Sequence, residues 1–210
     1  MNVLFCLDAT VQMPYRPILS FTQENSLKMF KTISTERLLL RQLVQEDAEA
    51  IFQYRTKKEI QKFQSWGTKS EAELRSSIAK LSKQNCQMSG WYQIGIALSE
   101  SGILIGDCGI HTLECDSRLA EVGITINPDF QRNGYASEAL KAVLAFLFEK
   151  LKKHRVSASV DPNNVASLNL MRAVGMRKEG HFVESTWFNE NWVDDVIFSL
   201  LEKEWLSKNS

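Results

Sequence analysis

The stretch Ala120-Glu121-Val122-Gly123-Ile124-Thr125-Ile126-Asn127-Pro128-Asp129-Phe130-Gln131-Arg132-Asn133-Gly134-Tyr135-Ala136-Ser137, continued by EALKAVLAFLFEKL to Leu151, carries three local codes in succession. Ala120–Ile126 is a short, mainly apolar run of strand type, stopped by Asn127-Pro128. From Tyr135 the period changes. Leu140, Val143, Leu144, Leu147 and Leu151 fall at i, i+3, i+4, i+7 and i+11, one apolar stripe of a helix over Tyr135–Lys150. Lys150, Lys152 and Lys153 crowd its C-terminal end, where the helix dipole favours cations, and His154 is read as a cap there. Between strand and helix lies Gln131–Ala136. Gly134 lets the backbone come close to a ligand, and Ala136 keeps the first turn uncluttered. The free amides of that turn and the positive helix end make an anion site whose natural occupant is a pyrophosphate. No Gly-Lys-Ser/Thr follows, which excludes a Walker A loop, and a lone glycine is not GxGxxG. On spacing alone, an ordinary helix-opening loop is the leading reading.

Outward from this stretch the elements alternate. Upstream, Leu38–Leu43 reads as a strand, and Asp47–Arg55 as a helix with Ala48, Ile51 and Phe52 on one side. Ser70–Gln84 reads as a second helix, opened by a Ser70/Glu73 capping box. Trp91–Leu98 and Ile103–Ile110 are strands joined by a turn at Ser101–Gly102. Downstream, Val156–Val160 is a buried strand ended by Asp161-Pro162. It hands the chain to a helix over Asn164–Val174, closed by Gly175, and Phe182–Trp187 and Trp192–Leu200 form a terminal hairpin. A meander followed by strand–helix–strand–helix predicts an α/β (α+β) fold: a mixed, mostly antiparallel sheet of about seven strands with helices on both faces. Residues 1–28 carry Pro14 and Pro17 without a helical period. They are expected to be an extension ahead of one domain over 29–210, with Met29 either a fresh start or the end of an ordered arm.

A chain of 210 residues can bury the core of one such domain. Lys+Arg and Asp+Glu both number 25, so no net field steers it toward nucleic acid or membrane, and neither is expected as a partner. No apolar run reaches the ~18 residues of a membrane span. Met1–Met13 has no basic start and is interrupted by Asp8, unlike a signal peptide. Cys6, Cys86, Cys108 and Cys115 form no CxxC pair or Cys/His cluster, which suggests free thiols, a cytoplasmic setting and no metal. His111, His154 and His181 are isolated, and Trp66, Trp91, Trp187 and Trp192 read mostly as core or cleft wall.

Gln131–Ala136 resembles the Q/R-x-x-G-x-G/A acyl-CoA loop of the GNAT acetyltransferase superfamily, and Ala120-Glu121-Val122-Gly123-Ile124 resembles the strand that feeds it. Asp161–Ser167 with Gly175-Met176 resembles the second cofactor motif. Thr35-Glu36-Arg37-Leu38-Leu39-Leu40-Arg41 and Trp192–Val196 resemble the opening and ending of the ribosomal-protein (RimJ/RimL-type) branch. The pieces run in family order from about residue 32 to 203.

The resemblance implies a sheet with splayed central strands and direct acetyl transfer from acetyl-CoA to a primary amine in a ternary complex, by a monomer or homodimer. It implies cofactor contacts at Gly123, Ile124, Thr125 and Ile126, where the pantetheine arm pairs with the strand. Further contacts follow at Gln131, Arg132, Asn133, Gly134, Tyr135, Ala136 and Ser137 for the diphosphate, and at Asn164 and Ser167. The acceptor is expected to be the N-terminal α-amine of a ribosomal or other protein, or alternatively a small amine such as a polyamine, amino acid or aminoglycoside. A non-catalytic acyl-CoA-binding module is a third reading.

A backbone amide of the splayed strand can stabilise the oxyanion. A base must take the amine's proton, and Glu121 on the cofactor strand is the candidate; a carboxylate paired with Arg or Lys is the other reading. Many relatives have an acid tyrosine seven residues after the motif asparagine, where Met171 stands here; the RimL-like branch instead has a serine three residues after it, and the resemblance implies Ser167 as the partner of the thiolate. The RimL-like branch can place a glutamate about where Thr186 stands, so Glu184, expected by strand alternation to share the face of Thr186, is an alternative base implied by the resemblance. Trp66, between the first two helices, is a candidate wall of the acceptor cleft.

Overall fold

The computed structural model describes residues 32–64, 70–81 and 89–208. The proposed extension over 1–28, Trp66, Cys6, Cys86 and the last turn expected for the second helix lie outside them. The order is β1 (Ile33–Ser34), β2 (Leu38–Gln42), α1 (Asp47–Arg55), α2 (Lys58–Gln61), α3 (Glu71–Leu81), β3 (Gly90–Leu98), β4 (Leu104–Thr112) and β5 (Leu119–Ile126). Then follow α4 (Tyr135–Ala145), β6 (Arg155–Val160), α5 (Val165–Ala173), β7 (Arg177–Phe188), β8 (Asn191–Leu201) and α6 (Glu202–Lys208). The strands form one sheet in the order β1-β2-β3-β4-β5-β6-β8-β7. Neighbours are antiparallel except β5 and β6, which are parallel. The expected seven strands are present. The eighth, β1, is two residues long and carries no periodic signal of its own.

Alternation along the strands sends apolar side chains to one face and a polar set to the other. Ile94, Cys108, Ile110, Val122, Val156 and Phe198 are buried with Leu140, Val143, Leu144 and Leu147 of the long helix in the main core. Each large apolar side chain so buried stabilises the fold by about 1.5–3 kcal/mol. On the opposite face Ala48, Ile51 and Tyr54 of α1 and Leu74 and Ile78 of α3 pack with Leu43 and Leu104 in a second cluster.

The long helix departs from expectation at its end. α4 stops at Ala145 and continues as a π-helical turn over Phe146–Lys150, closed by Leu151 N–H donating to the Phe146 carbonyl at 3.1 Å. The wider turn buries Phe148 completely and leaves Leu151 only partly buried. Phe148 stacks on Trp205 of α6, a helix the periodicity did not reveal, at a centroid distance of 5.9 Å. Lys153 is buried, and its Nζ donates to Thr112 Oγ1 at 2.9 Å and to the Ser117 carbonyl at 2.6 Å. His154 lies exposed beyond the helix, its backbone bonded to Arg118 and Glu202.

The capping readings at Ser70/Glu73 and at Gly175 hold. Glu73 N–H donates to Ser70 Oγ, and Ser70 N–H donates back to the Glu73 carboxylate at 2.8 Å. Gly175 closes α5 at φ +87°, with Met176 N–H reaching the Met171 carbonyl at 3.0 Å. Two tryptophan readings fail. Trp187 and Trp192 stand exposed on the β7–β8 hairpin as an edge-on pair at 5.4 Å. Cys108 is buried and Cys115 exposed, both as free thiols. Among the described residues no helix is long and apolar enough to cross a membrane.

Candidate active site

The ladder between β5 and β6 runs over Leu119, Ala120 and Glu121 against Arg155, Val156 and Ser157. Beyond it both strands continue, β5 to Ile126 and β6 to Val160, without further pairing to each other. This divergence in mid-sheet exposes the backbone edge of Gly123–Ile126 to a ligand. Two clefts meet there. One, of ≈ 600 Å³, is lined by Ile124, Thr125, Ile126, Gln131, Arg132, Gly134, Tyr135, Ala136 and Ser137 with the α5 residues Ala166 and Leu170. The other, of ≈ 340 Å³, is lined by Trp91, Gln93, Asp107, Gly109, Glu121, Gly123 and Asp161. Phe63, Gln64, Ile124, Thr125, Asn164 and Ser167 belong to both.

The first cleft ends on the loop before α4. Gly134 is the N-cap residue at φ +81° and brings no side-chain acceptor to the first turn, so the amides there face the cleft without a capping side chain. The rest of the loop is self-braced: Gln131 Nε2 donates to the Ile126 carbonyl at 2.9 Å, and Asn133 Nδ2 to the Phe130 and Gln131 carbonyls. Arg37 clamps it from outside. Its Nη1 donates to the Asn133 carbonyl at 2.9 Å, its Nε to Glu138 Oε2 at 2.7 Å, and its guanidinium covers the Tyr135 ring at 4.7 Å. Thr35 Oγ1 and Arg37 N–H donate to Glu138 Oε1 at 2.6 and 2.9 Å. An uncapped helix N-terminus, a positive-φ glycine and an open strand edge fit the diphosphate and amide arm of a coenzyme A thioester.

Burial pushes the Glu138 carboxyl up, but the hydrogen bonds from Thr35 and Arg37 together hold it below the usual carboxylate range. A folded-state pKa below the unfolded one gives stability that is present above the unfolded value, near ~4.3, and lost as pH falls through the lower folded one. The melting temperatures of wild type and Glu138→Gln are therefore expected to differ at neutral pH and to approach each other as pH falls from ~4.3 through the lower folded value. A difference that persists undiminished in acid counts against this charge-dependent clamp.

The second cleft is floored by an absence of side chains. Gly109 and Gly123 face each other across β4 and β5. A Cβ on Gly123 would meet nothing within 4 Å, whereas one on Gly109 would come to 3.0 Å from the Trp91 ring. Around this hollow stand Trp91, Gln93, Asp107, Glu121 and Thr125. Asp107 is buried and accepts from Tyr54 Oη, from Gln93 Nε2 and from Arg55 Nη2 at 2.7 Å. Burial, then the Asp107 charge, pushes the Tyr54 hydroxyl well up, so it stays a donor. Glu121 is different: its side chain is 47% exposed and lies 3.2 Å from His111 Nδ1. Asn164 Oδ1 accepts the Ser167 N–H at 3.1 Å, which caps α5 and sets Ser167 where the clefts join.

Residues 37–177 match the family described as the acetyltransferase (GNAT) domain. The chain belongs to the GNAT acetyltransferase family. It is an acetyl-CoA-dependent N-acetyltransferase. It is 30% identical over 179 residues to the uncharacterized N-acetyltransferase YnaD of Bacillus subtilis, covering 82% of this chain and 98% of that protein. The crystal structure of a GNAT-family acetyltransferase from Bacillus anthracis superposes with a TM-score of 0.74 at 30% identity, covering 83% of this chain and all of that one. A shorter match, 27% over 106 residues, covers 50% of this chain and 61% of a spermidine N(1)-acetyltransferase from Vibrio cholerae.

Within this acetyltransferase, Gly123, Glu121, Ser167, Asn164, Ile124–Ile126 and the loop residues Gln131, Arg132 and Gly134–Ser137 line one cleft or both. Asn133 instead braces the loop. Glu184 lies outside the lining of both clefts. The alternation that was to align it with Thr186 is broken by a bulge between Phe182 and Thr186, where Glu184 takes φ +47° and its N–H donates to Asp194. The exposed His181 pairs with Asp194 at 2.7 Å, and Met171 is a buried wall of the second cleft. Sequence reasoning missed Asp107, a lone carboxylate inside the apolar run Leu104–Thr112, and that isolation was its signal. It also missed Phe63 and Gln64, whose Nε2 donates to Thr125 Oγ1 over the strand edge.

Proposed function

We propose that this acetyltransferase acts on the N-terminal α-amine of a protein or peptide, which enters the cleft over Gly109 and Gly123, with Glu121 as the proton acceptor. The observation that carries the reading is the meeting of two clefts at Ile124, Thr125, Asn164 and Ser167, one ending on helix amides and the other on a half-exposed carboxylate. Bound acetyl-CoA supplies the activated acyl carbonyl. The amides of Gly134–Ser137 hold its diphosphate. Glu121 takes a proton from the acceptor's ammonium: an N–H bond breaks, a carboxyl O–H forms, and the nitrogen gains the lone pair it needs. Ser167 Oγ serves as hydrogen-bond donor on the leaving-group side. Phe63 and Gln64 line both clefts at the junction.

The N-terminal-amine reading is supported by the Thr35–Arg41 and Trp192–Val196 segments, which resemble the ribosomal-protein branch. A polyamine is the second reading. It is favoured by Glu121 and Asp161 in the lining of the acceptor cleft, where the charge of Asp107 is already matched by Arg55, and by the spermidine-acetyltransferase relative. A thiol-release assay with acetyl-CoA against N-terminal peptides, spermidine and amino acids tests both. Turnover confined to peptides supports the first, turnover confined to spermidine replaces it with the second, and no turnover with any amine removes both.

The hollow itself has a direct test. Gly123→Ala adds a methyl group into open space and leaves the fold intact. It is expected to raise the acceptor KM severalfold while acetyl-CoA affinity, measured by calorimetry, stays within about twofold. An unchanged acceptor KM moves the acceptor elsewhere.

A further inference from the structure

We infer that His111 is a positioning residue that fixes the Glu121 carboxylate at the acceptor end of the site. The inference rests on the reading of Glu121 as the proton acceptor. Trp91 of β3 pairs in register with His111 of β4, and His111 pairs with Glu121 of β5, so the three side chains form one row across the sheet. Such directly opposed pairs are the closest side-chain contacts a sheet offers. Trp91 lies almost flat on the imidazole, with centroids 4.8 Å apart and planes 9° from parallel. The imidazole is 14% exposed and Glu121 is 47% exposed. A glutamate that is half in water keeps several rotamers open, and holding it in one costs side-chain entropy. A ring pinned under an indole has little freedom left.

The bond between them runs from His111 Nδ1 to Glu121 Oε2 at 3.2 Å. An ionised carboxylate only accepts, so the hydrogen of that bond sits on Nδ1. One carboxylate oxygen is thereby tethered, and the other remains to accept the ammonium proton of the acceptor. The titratable neighbour of the imidazole on β5 is Glu121; on β3 its neighbour is Trp91, which does not titrate. The tether also explains the aromatic at position 91. The same indole that overhangs Gly109 holds the imidazole in plane.

Two substitutions separate this role from simple packing. His111→Phe keeps a ring under Trp91 and removes the donor. His111→Asn keeps an N–H donor near the position of Nδ1 and cannot titrate. His111→Phe is expected to lower kcat about tenfold, the scale of one hydrogen bond to a charged group, with acetyl-CoA KM unchanged. His111→Asn should restore most of the rate. In a Glu121→Gln background, His111→Phe should cause no further loss. Wild-type kinetics in His111→Phe, an Asn variant as slow as the Phe variant, or an undiminished loss in the Glu121→Gln background each overturn the proposal. Full activity of Glu121→Gln alone removes Glu121 as proton acceptor and the tether with it, an outcome distinct from failure of His111 alone.

Discussion

Replacing Glu121 by glutamine is expected to lower kcat by roughly 10²–10⁴-fold, the usual span of general-base catalysis, while acetyl-CoA affinity stays at the wild-type value. The substitution keeps the size of the side chain and an oxygen for the His111 hydrogen bond, and it removes only the ability to take a proton. Glu121 makes no ion pair with lysine or arginine among those found in the described residues, and its partner is the imidazole. Loss of the carboxylate should therefore leave the melting temperature close to wild type, contrary to the reading of Glu121 as a structural carboxylate. The deficit should shrink as pH rises, because an acceptor already present as free amine needs no base. Ser167→Ala is the control: acting on the leaving-group side, it should slow the reaction with no such rescue at high pH. A Glu121→Gln enzyme with full kcat and an unaltered pH profile removes Glu121 from the chemistry. A melting temperature far below wild type assigns it to the fold instead.

The parts of the site legible in the sequence were those written in local codes. Asn164 is three residues before Ser167 and caps its helix, and Gly134 stands where a strand-to-helix turn needs φ of +81°. Capping and turn chemistry are short-range, so spacing reveals them. The hollow over Gly109 and Gly123 was not legible. It depends on the register of β4 against β5, a pairing between residues 14 positions apart that no periodicity encodes. The same holds for the row of Trp91, His111 and Glu121, read in the sequence separately as a core or cleft wall, an isolated histidine and a candidate base, and brought together by three adjacent strands. Arg37 is a third case. It appeared as part of a recurring opening motif, while its work lies about a hundred residues downstream, on the Asn133 carbonyl and on Glu138. The misreading of Glu184 has the converse cause. Strand alternation was applied across a bulge, and a bulge is invisible to a period-2 argument until the partner strand is known.

Gly134→Val is expected to weaken acetyl-CoA binding at least ~10-fold, about 1.4 kcal/mol. Two effects act in the same direction. Gly134 holds φ +81°, a left-handed conformation that costs an ordinary L-residue roughly 1–2 kcal/mol, and β-branched side chains are the least tolerant of it. The backbone should relax away from this angle and turn the first amides of α4 off the line on which they converge. A Cβ at this position would also come to 3.4 Å from Arg37 Nη2, the guanidinium that braces the loop through the Asn133 carbonyl and Glu138. That is ordinary contact for the Cβ alone, so it is the added bulk of the valine γ-methyls that would press on the clamp. The core stripe of α4 and its π-helical continuation, Leu140, Val143, Leu144 and Leu147, begins six residues further on and lies on the buried face, so the helix itself should persist. Calorimetry with acetyl-CoA reads the affinity, and circular dichroism reads the fold. Gly134→Ala, with the same backbone conflict and less bulk, should fall between wild type and valine. Wild-type affinity in a folded Gly134→Val protein would sink the assignment of the diphosphate to the α4 N-terminus, because no anion held by those amides could ignore a branched side chain at the turn that aims them.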